Sequence, residues 1–106
     1  MNKLRRKAIY NIIKKLKEIL EGKVEIELDI IEDIIDTTQT ILDEEETYFY
    51  NIPENLQSGT RYENSEKAID KLEDAISDLE DIDEESSHEA IRGYISNAIE
   101  NLNDCI

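Results

Sequence analysis

The segment "TYFYNIPENLQSGTRYEN", residues 47–64, lies between two long helical patterns and decides how the chain folds back on itself. It contains the only proline and four of the six aromatic side chains. A residue that precedes proline is pushed away from helical backbone angles, so a helix that enters this segment must end by about Asn51. Pro53 is then suited to the start of a short helical turn, and the Ser-Gly pair that follows indicates a flexible end to that turn. We therefore predict a corner over residues 50–60.

The third helix is predicted to begin just after this corner. Thr60 and Glu63 have the spacing of a capping box, which indicates Thr60 as the N-cap of a helix over residues 61–82. Seam positions then recur alternately three and four residues apart, the seven-residue repeat of a narrow packing seam. They are Tyr62, Ser65, Ile69, Leu72, Ile76 and Leu79. Ala68 and Ala75 flank this seam and allow a partner helix to approach closely.

The first helix is predicted over residues 3–21, where apolar residues recur at three- and four-residue steps. They are Leu4, Ala8, Ile9, Ile12, Ile13, Leu16, Ile19 and Leu20. A basic amphipathic helix can also lie on an anionic membrane or in an acidic groove. The apolar stripe is long enough that we predict its burial inside the protein's own bundle.

The second helix is predicted over residues 24–49, although its start is ambiguous. "VEIELDI", residues 24–30, alternates apolar and acidic residues as a strand does. No second alternating segment exists to pair with a lone strand, so a strand here would need another chain. If Gly22 does not interrupt the helix, residues 3–49 form one rod of about 70 Å.

The fourth helix is predicted over residues 87–104. The seven-residue repeat of the third helix fails after residue 82, which indicates a turn near residues 83–87. Ser86 and Glu89 have the spacing of a capping box at the start of the new helix. Gly93 lies inside this helix and costs about 1 kcal/mol relative to alanine, so we predict close contact with another helix there. The expected fold is a single all-α domain, residues 1–106, built as an antiparallel bundle or coiled-coil hairpin of three to four helices.

The charge of the chain is unevenly distributed. Residues 1–23 carry eight Lys/Arg and two Asp/Glu, whereas residues 24–106 carry four and twenty-five, which together give the net charge of −15. We favour internal attraction between the basic first helix and the acidic remainder over a separate basic binding surface. Repulsion from phosphates argues against direct binding of nucleic acid, and a basic or nucleic-acid-binding protein is the expected partner.

Length and residue types exclude several classes of function. A chain of 106 residues can bury one modest core but offers little wall for a deep substrate cleft. The single histidine, His88, cannot form a catalytic triad or a two-histidine metal site in one chain. The acidic runs at residues 43–46 and 80–85 lack the spacing of a calcium loop and are interpreted as solvated helix surface. We expect no catalysis, no cofactor and no metal.

Location is constrained by two further features. No run of about 18 apolar residues is present, so no membrane-spanning helix is expected. The only cysteine, Cys105, cannot form an internal disulfide, which fits a cytoplasmic setting.

Two sets of residues are candidates for binding a partner. Tyr48, Phe49, Tyr50 and Tyr62 form either a local core that closes the end of the bundle, which we favour, or exposed anchors beside Arg61. The second set consists of three carboxylates on one face of the third helix, namely Asp74, Asp78 and Asp81.

The segment "NIPENLQSGTRYENSEKAIDKLEDAI", residues 51–76, resembles a pattern found in small acidic helical proteins of phages and prophages of low-GC bacteria. The shared pattern is Asn-x-Pro-Glu-Asn-Leu-Gln, then Ser, then Arg-Tyr-Glu, followed by an acidic heptad helix. The resemblance covers about a quarter of the chain and implies a helical hairpin or bundle of phage-type origin in a bacterial host cell. It implies little about activity.

Two classes of function remain. The first is a phage-type inhibitor or adaptor, for example against CRISPR or restriction systems, whose acidic helices imitate the phosphates of nucleic acid and bind a host protein. The second is a self-associating coiled-coil module whose seam pairs between chains, with acidity serving solubility. We favour the first. A homo-oligomer is expected, and the second class predicts a stable one whose partners are mainly copies of the same chain.

Overall fold

The computed structural model describes residues 1–23 and 25–106 and contains four α-helices with short connections. Their bounds are Lys3–Leu20 for α1, Leu28–Tyr50 for α2, Thr60–Glu80 for α3 and His88–Asn103 for α4. A short 3₁₀ helix, Glu54–Leu56, lies in the corner between α2 and α3. No strand occurs in the described part of the chain, so the all-α prediction is confirmed.

The four helices form an antiparallel bundle in which α1 packs against α2 and α4, while α3 packs against the same two helices from the other side. Short connections make successive helices run in opposite directions. The start of α1, the end of α2, the start of α3 and the end of α4 therefore meet at one end of the bundle. We call it the aromatic end, after Tyr48, Phe49, Tyr50 and Tyr62. The molecule measures 48 × 22 × 19 Å.

The core is formed by isoleucine, leucine and alanine from all four helices. On α3 the most deeply buried line, each residue at most 2 % exposed, is Ser65, Ala68, Leu72, Ala75 and Leu79. The two alanines therefore lie at the centre of the buried stripe, whereas Tyr62 and Ile69 are only half-buried. The stripe is wider than a two-helix seam because α3 packs against both α2 and α4.

Gly22 ends the first helix and rules out a continuous rod. Its φ of 76° lies in the left-handed region that favours glycine. The N–H of Gly22 donates to the carbonyl oxygen of Ile19 at 3.1 Å, and the N–H of Lys23 donates to that of Glu18 at 3.0 Å. This pair of bonds is a Schellman motif, which satisfies carbonyls that the helix end leaves free. From α4, Arg92 also donates to the Leu20 carbonyl oxygen at 2.8 Å.

The starts of α3 and α4 differ from the predicted capping boxes. Gly59 is the N-cap of α3 and has no side chain to offer, while Thr60 is already helical. At α4 the Oγ of Ser87 accepts the N–H of Ala90 at 3.1 Å. Ser86 instead closes the preceding turn, where its Oγ accepts the N–H of Asp83 at 3.0 Å. Ser86 and Ser87 are both residue types that cap helices. Because Ser86 is engaged in the preceding turn, Ser87 caps α4.

Other expectations from the sequence need correction. Glu25–Glu27 are neither strand nor helix and α2 begins at Leu28, while Val24, where we predicted the helix to start, lies outside the described residues. Leu4 is 77 % exposed. It lies twelve residues from the fully buried Leu16, which places it about 120° away around the helix. Gly93 is exposed, and a Cβ there would meet no atom within 4 Å, so it does not mark a close helix contact.

None of the helices in the described part of the chain combines the length and apolar character needed to cross a bilayer.

We predict opposite effects on stability for two glycine substitutions. Gly22→Ala should lower the free energy of unfolding by about 1 kcal/mol, because alanine is strained at a positive φ. Gly93→Ala should raise it by up to about 1 kcal/mol, because alanine is the better helix former and the space is open. Thermal unfolding followed by circular dichroism should show melting shifts of opposite sign, each up to about 4 to 8 °C. A higher melting temperature for Gly22→Ala would contradict the positive-φ assignment, and a lower one for Gly93→Ala would contradict the open space at that residue.

Candidate functional site

Glu45, at the aromatic end, is the most deeply buried charged residue of the described chain, with 0 % exposure. Its Oε2 accepts a hydrogen bond from Arg5 Nε at 2.8 Å, and its Oε1 accepts one from Ser65 Oγ at 2.8 Å. The amine of Met1 lies 3.7 Å from Oε1. One carboxylate therefore connects α1, α2 and α3, and the interpretation of residues 43–46 as solvated surface is wrong at this position.

The position of Glu45 on α2 explains its burial. Ile34, Thr38 and Ile41 are buried at four- and three-residue steps, and Glu45 is the next position of the same stripe. Thr38 is tolerated in this stripe because its hydroxyl donates to the Ile34 carbonyl oxygen at 2.7 Å. A buried carboxylate is costly unless it is paired, and here both oxygens have donors. In the sequence, the burial of Glu45 is indicated by its spacing from the apolar positions Ile34 and Ile41, and not by its residue type.

The aromatic residues form two groups around this network. The Phe49 and Tyr62 rings stack with centroids 4.5 Å apart, and the Tyr50 ring meets Phe49 edge-on at 5.5 Å. The guanidinium of Arg5 lies 5.6 Å from the centre of the Tyr48 ring, within cation–π distance. Tyr50 is 76 % exposed, whereas the other three are half-buried. The cluster thus combines local packing with one exposed ring.

Two depressions open beside these rings. The larger, of about 530 Å³, is lined by Met1, Asn2, Arg5, Arg6, Tyr48, Arg61 and Asn64. The smaller, of about 200 Å³, is lined by Tyr48, Asn51, Ile52, Pro53, Leu56 and Arg61. Tyr48 and Arg61, both predicted as partner-binding residues, line both depressions. The structure therefore brings these two candidates together at one site.

The predicted acidic residues of α3 lie elsewhere. Arg61 and Asp74 are thirteen residues apart, which separates them by about 20 Å along the helix. Asp74 and Asp81 are exposed, but Asp78 is half-buried and accepts a hydrogen bond from Asn101 Nδ2 at 2.8 Å. Burial raises the pKa of Asp78 above its ordinary value, as do the nearby charges of Asp74 and Asp81, while the bond from Asn101 opposes this. Asp78 is thus engaged between α3 and α4.

A more uniformly acidic surface lies on α2. This helix has eight Asp/Glu and no Lys, Arg or His along its 23 residues. Those that are exposed are Asp29, Glu32, Asp33, Asp36, Asp43 and Glu44. We call this group the α2 carboxylate face. α3, in contrast, mixes its carboxylates with Arg61, Lys67 and Lys71.

The predicted attraction between α1 and the acidic remainder is realised in few close contacts. Among the described residues, Arg5 is the only basic side chain of α1 within 4 Å of a carboxylate. Six others on this helix face solvent: Lys3, Arg6, Lys7, Lys14, Lys15 and Lys17. Lys15 lines one depression together with Asp33 of α2, so the two charge patterns meet at this point between α1 and α2, without a close ion pair there among the described residues.

Cys105 closes the aromatic end from the side of α4. Its S–H lies 3.4 Å from the carbonyl oxygen of Asn101 and 3.7 Å from that of Ala68. Burial, followed by the charges of Asp104 and Glu45, raises the pKa of the Cys105 thiol to about 12. The thiol therefore packs as a small apolar group and is a poor nucleophile.

Comparison of this chain with protein-family models, with curated proteins and with solved structures gives no match. Within the described residues, no three His, Cys, Asp or Glu side chains are grouped so that they could hold a metal ion. His88 is exposed at the start of α4. The candidate sites therefore rest on the geometry of the two depressions and of the α2 carboxylate face.

We predict that Glu45→Gln lowers the free energy of unfolding by about 3 kcal/mol, because Arg5 loses the charge that compensates its burial. The neighbouring Glu44→Gln is the control, since an exposed substitution should change stability by less than about 0.5 kcal/mol. Urea unfolding of both variants measures the difference. Equal stabilities would show that the buried network contributes nothing to the fold.

We predict that Cys105 resists thiol reagents while the protein is folded. A pKa of about 12 instead of the ordinary 9.0 lowers its thiolate fraction at pH 8 by about three powers of ten. Because the folded state holds this proton more tightly, the corresponding stability is complete below pH 9 and is lost as the pH rises towards 12. Labelling rates with and without denaturant test the first statement, and urea unfolding at several pH values tests the second. Equally fast labelling in both states would contradict the burial of this thiol.

Proposed function

We propose that this protein acts by binding and not by catalysis, and that the α2 carboxylate face occupies the basic surface through which a host protein holds nucleic acid. The observation that carries the proposal is a whole helix whose outer side is acidic and which contains no basic residue. On a helix with mixed charges, local pairs weaken the field. On α2, every charged side chain contributes with the same sign.

The charge density of α2 supports imitation of a phosphate backbone. Leaving out the buried Glu45, seven carboxylates are spread over 23 residues, which is about one per 5 Å of helix axis. One strand of B-DNA carries a phosphate about every 3.4 Å of axis. Asp29, Asp36 and Asp43 are seven residues apart, so they form a nearly straight row with a step of about 10.5 Å. The two densities are comparable.

The rigidity of α2 also favours binding. Its inner side is fixed by Ile31, Ile34, Ile41 and Leu42, each at most 4 % exposed. A carboxylate array held on a packed helix loses little conformational entropy when it binds. Electrostatic complementarity of this kind accelerates association and depends strongly on salt.

The resemblance of residues 51–76 to phage and prophage proteins supports a narrower proposal. We propose an inhibitor or adaptor role against a nucleic-acid-binding protein of a bacterial host, such as a component of a CRISPR or restriction system. The site of action is then the bacterial cytoplasm. Direct binding to nucleic acid is not part of the proposal, because the net charge of −15 repels phosphates.

Self-association through the seven-residue seam receives less support. Its residues Ser65, Leu72, Ile76 and Leu79 are buried against the other helices of the same chain. A second chain could reach them only if the bundle opened. A homo-oligomer would need another surface, and Leu4, Tyr50, Leu56 and Ile106, all at the aromatic end, are the large exposed apolar side chains there.

We predict that partner binding depends on the α2 carboxylate face. The test variant is Asp29→Asn with Asp36→Asn and Asp43→Asn, and its matched control, with the same change in net charge, is Glu73→Gln with Asp74→Asn and Asp81→Asn on α3. Pull-down from bacterial lysate should recover proteins that duplex DNA elutes and that are released as salt rises from about 0.05 to 0.5 M. The α2 variant should lose these proteins while the α3 variant retains them.

Retention of every partner by the α2 variant would exclude imitation of nucleic acid by this face. Loss of the partners by the α3 variant alone would instead assign binding to the α3 carboxylates Glu73, Asp74 and Asp81. Sedimentation of the unmodified protein at both salt concentrations measures its oligomeric state independently.

A further inference from the structure

We propose that the two depressions bordered by Tyr48 and Arg61, at the aromatic end, form one binding site for a small organic anion. In this site Arg6 and Arg61 bind an acidic group, either phosphate or carboxylate, and an apolar or aromatic body lies in the smaller depression. The site uses none of the α2 carboxylate face, so it is independent of the function proposed above.

The charge of the larger depression is the first argument. In a protein of net charge −15, this wall carries three arginines and the amine of Met1. Glu45 lies within 4 Å of both Arg5 and the amine and compensates part of this charge. Among the described residues no carboxylate comes within 4 Å of Arg6 or Arg61, both of which are exposed. The site retains positive charge that a bound anion would neutralise.

The chemistry of the lining residues selects an acidic group. Arginine presents several N–H donors in a planar fork that matches phosphate or carboxylate oxygens. Asn2 and Asn64 add side-chain amides to the same wall. The first amides of α3 lie beside Arg61 and carry partial positive charge, whereas the dipoles of the four helices largely cancel because α2 and α4 end here. At α3 the N-cap Gly59 places no side-chain acceptor on the first amides.

The smaller depression determines the rest of the ligand. Its apolar walls are Ile52, Pro53 and Leu56, and Leu56 remains 55 % exposed although it is large and apolar. Tyr48 and Arg61 border both depressions, so a ligand that extends past them places its acidic end on one side and its apolar end on the other. The volume of about 530 Å³ lies within the usual range for small-molecule sites.

The size of the ligand follows from the electrostatics of the whole molecule. A polyanion such as nucleic acid would extend beyond the site onto surfaces that carry most of the 27 Asp/Glu residues. A compact anion with one acidic group contacts the arginines and avoids this repulsion. The geometry therefore favours a phosphomonoester or a carboxylate with one apolar or aromatic substituent.

Titration followed by amide NMR tests the proposal with four probes: phenyl phosphate, inorganic phosphate, adenosine monophosphate and octanoate. Phenyl phosphate should give saturable shifts at Tyr48, Asn64 and Arg61, and inorganic phosphate should bind at least about 10-fold more weakly because it leaves the apolar part empty. Tighter binding of the nucleotide than of octanoate would identify phosphate as the preferred group, and the reverse order would identify carboxylate.

Matched variants keep the test specific. Arg61→Gln should weaken phenyl phosphate binding at least about 10-fold, whereas Lys17→Gln, an equal change in charge at an exposed position far from the site, should change it less than about 2-fold. Leu56→Ser should weaken phenyl phosphate binding but leave inorganic phosphate unchanged. Absence of saturable shifts for all four probes up to about 10 mM, or equal effects of the Arg61 and Lys17 variants, would overturn the proposal.

Discussion

The fold depends on the burial of one carboxylate. Glu45 reaches the interior between α1 and α3, and its two oxygens are satisfied by Arg5 from one helix and Ser65 from the other. A buried charge without such donors would cost several kcal/mol, so this end of the bundle is stable only when the three helices are aligned at this level. A slide of α1 or α3 by one turn would carry Arg5 or Ser65 about 5.4 Å along the helix axis, away from Glu45, and would leave its buried charge without that donor. The charged contact fixes the alignment.

This alignment has consequences for the surface of the same end. Because Arg5 turns inward to Glu45, its guanidinium lies over Tyr48, and Tyr48 in turn borders both depressions. Arg6, one residue along α1, faces outward on the same wall. The buried pair thus positions the residues that form the proposed anion site. Of the two adjacent arginines on α1, Arg5 therefore binds a buried carboxylate, whereas Arg6 is exposed at the proposed anion site.

The two proposed binding surfaces differ in sign and in position. The α2 carboxylate face presents a row of negative charge along the bundle, and the aromatic end concentrates arginines on one wall. The lysines of α1 are exposed and form no ion pair within 4 Å in the described part of the chain, although Lys15 lies beside Asp33. A bundle with a fully interdigitated charge pattern would have weaker fields on both surfaces. Separation of charge leaves each surface able to select a partner of opposite sign.

The sequence alone determined the all-α class, the corner after α2 and the identity of most core residues, because periodic spacing of isoleucine and leucine is a local property of the chain. It left open whether α1 and α2 are separate, which the left-handed turn at Gly22 decides. It did not determine which of two adjacent residues caps α3 or α4, nor that Gly93 faces open space, since both depend on how the helices approach one another. Least predictable was Glu45: a glutamate within an acidic run is expected in solvent, and only the arrival of Arg5 and Ser65 from distant positions makes its burial stable. The tertiary structure likewise decided that Tyr48 and Arg61 border one site while Asp78 is engaged with Asn101, because these contacts join helices whose relative placement no local pattern specifies.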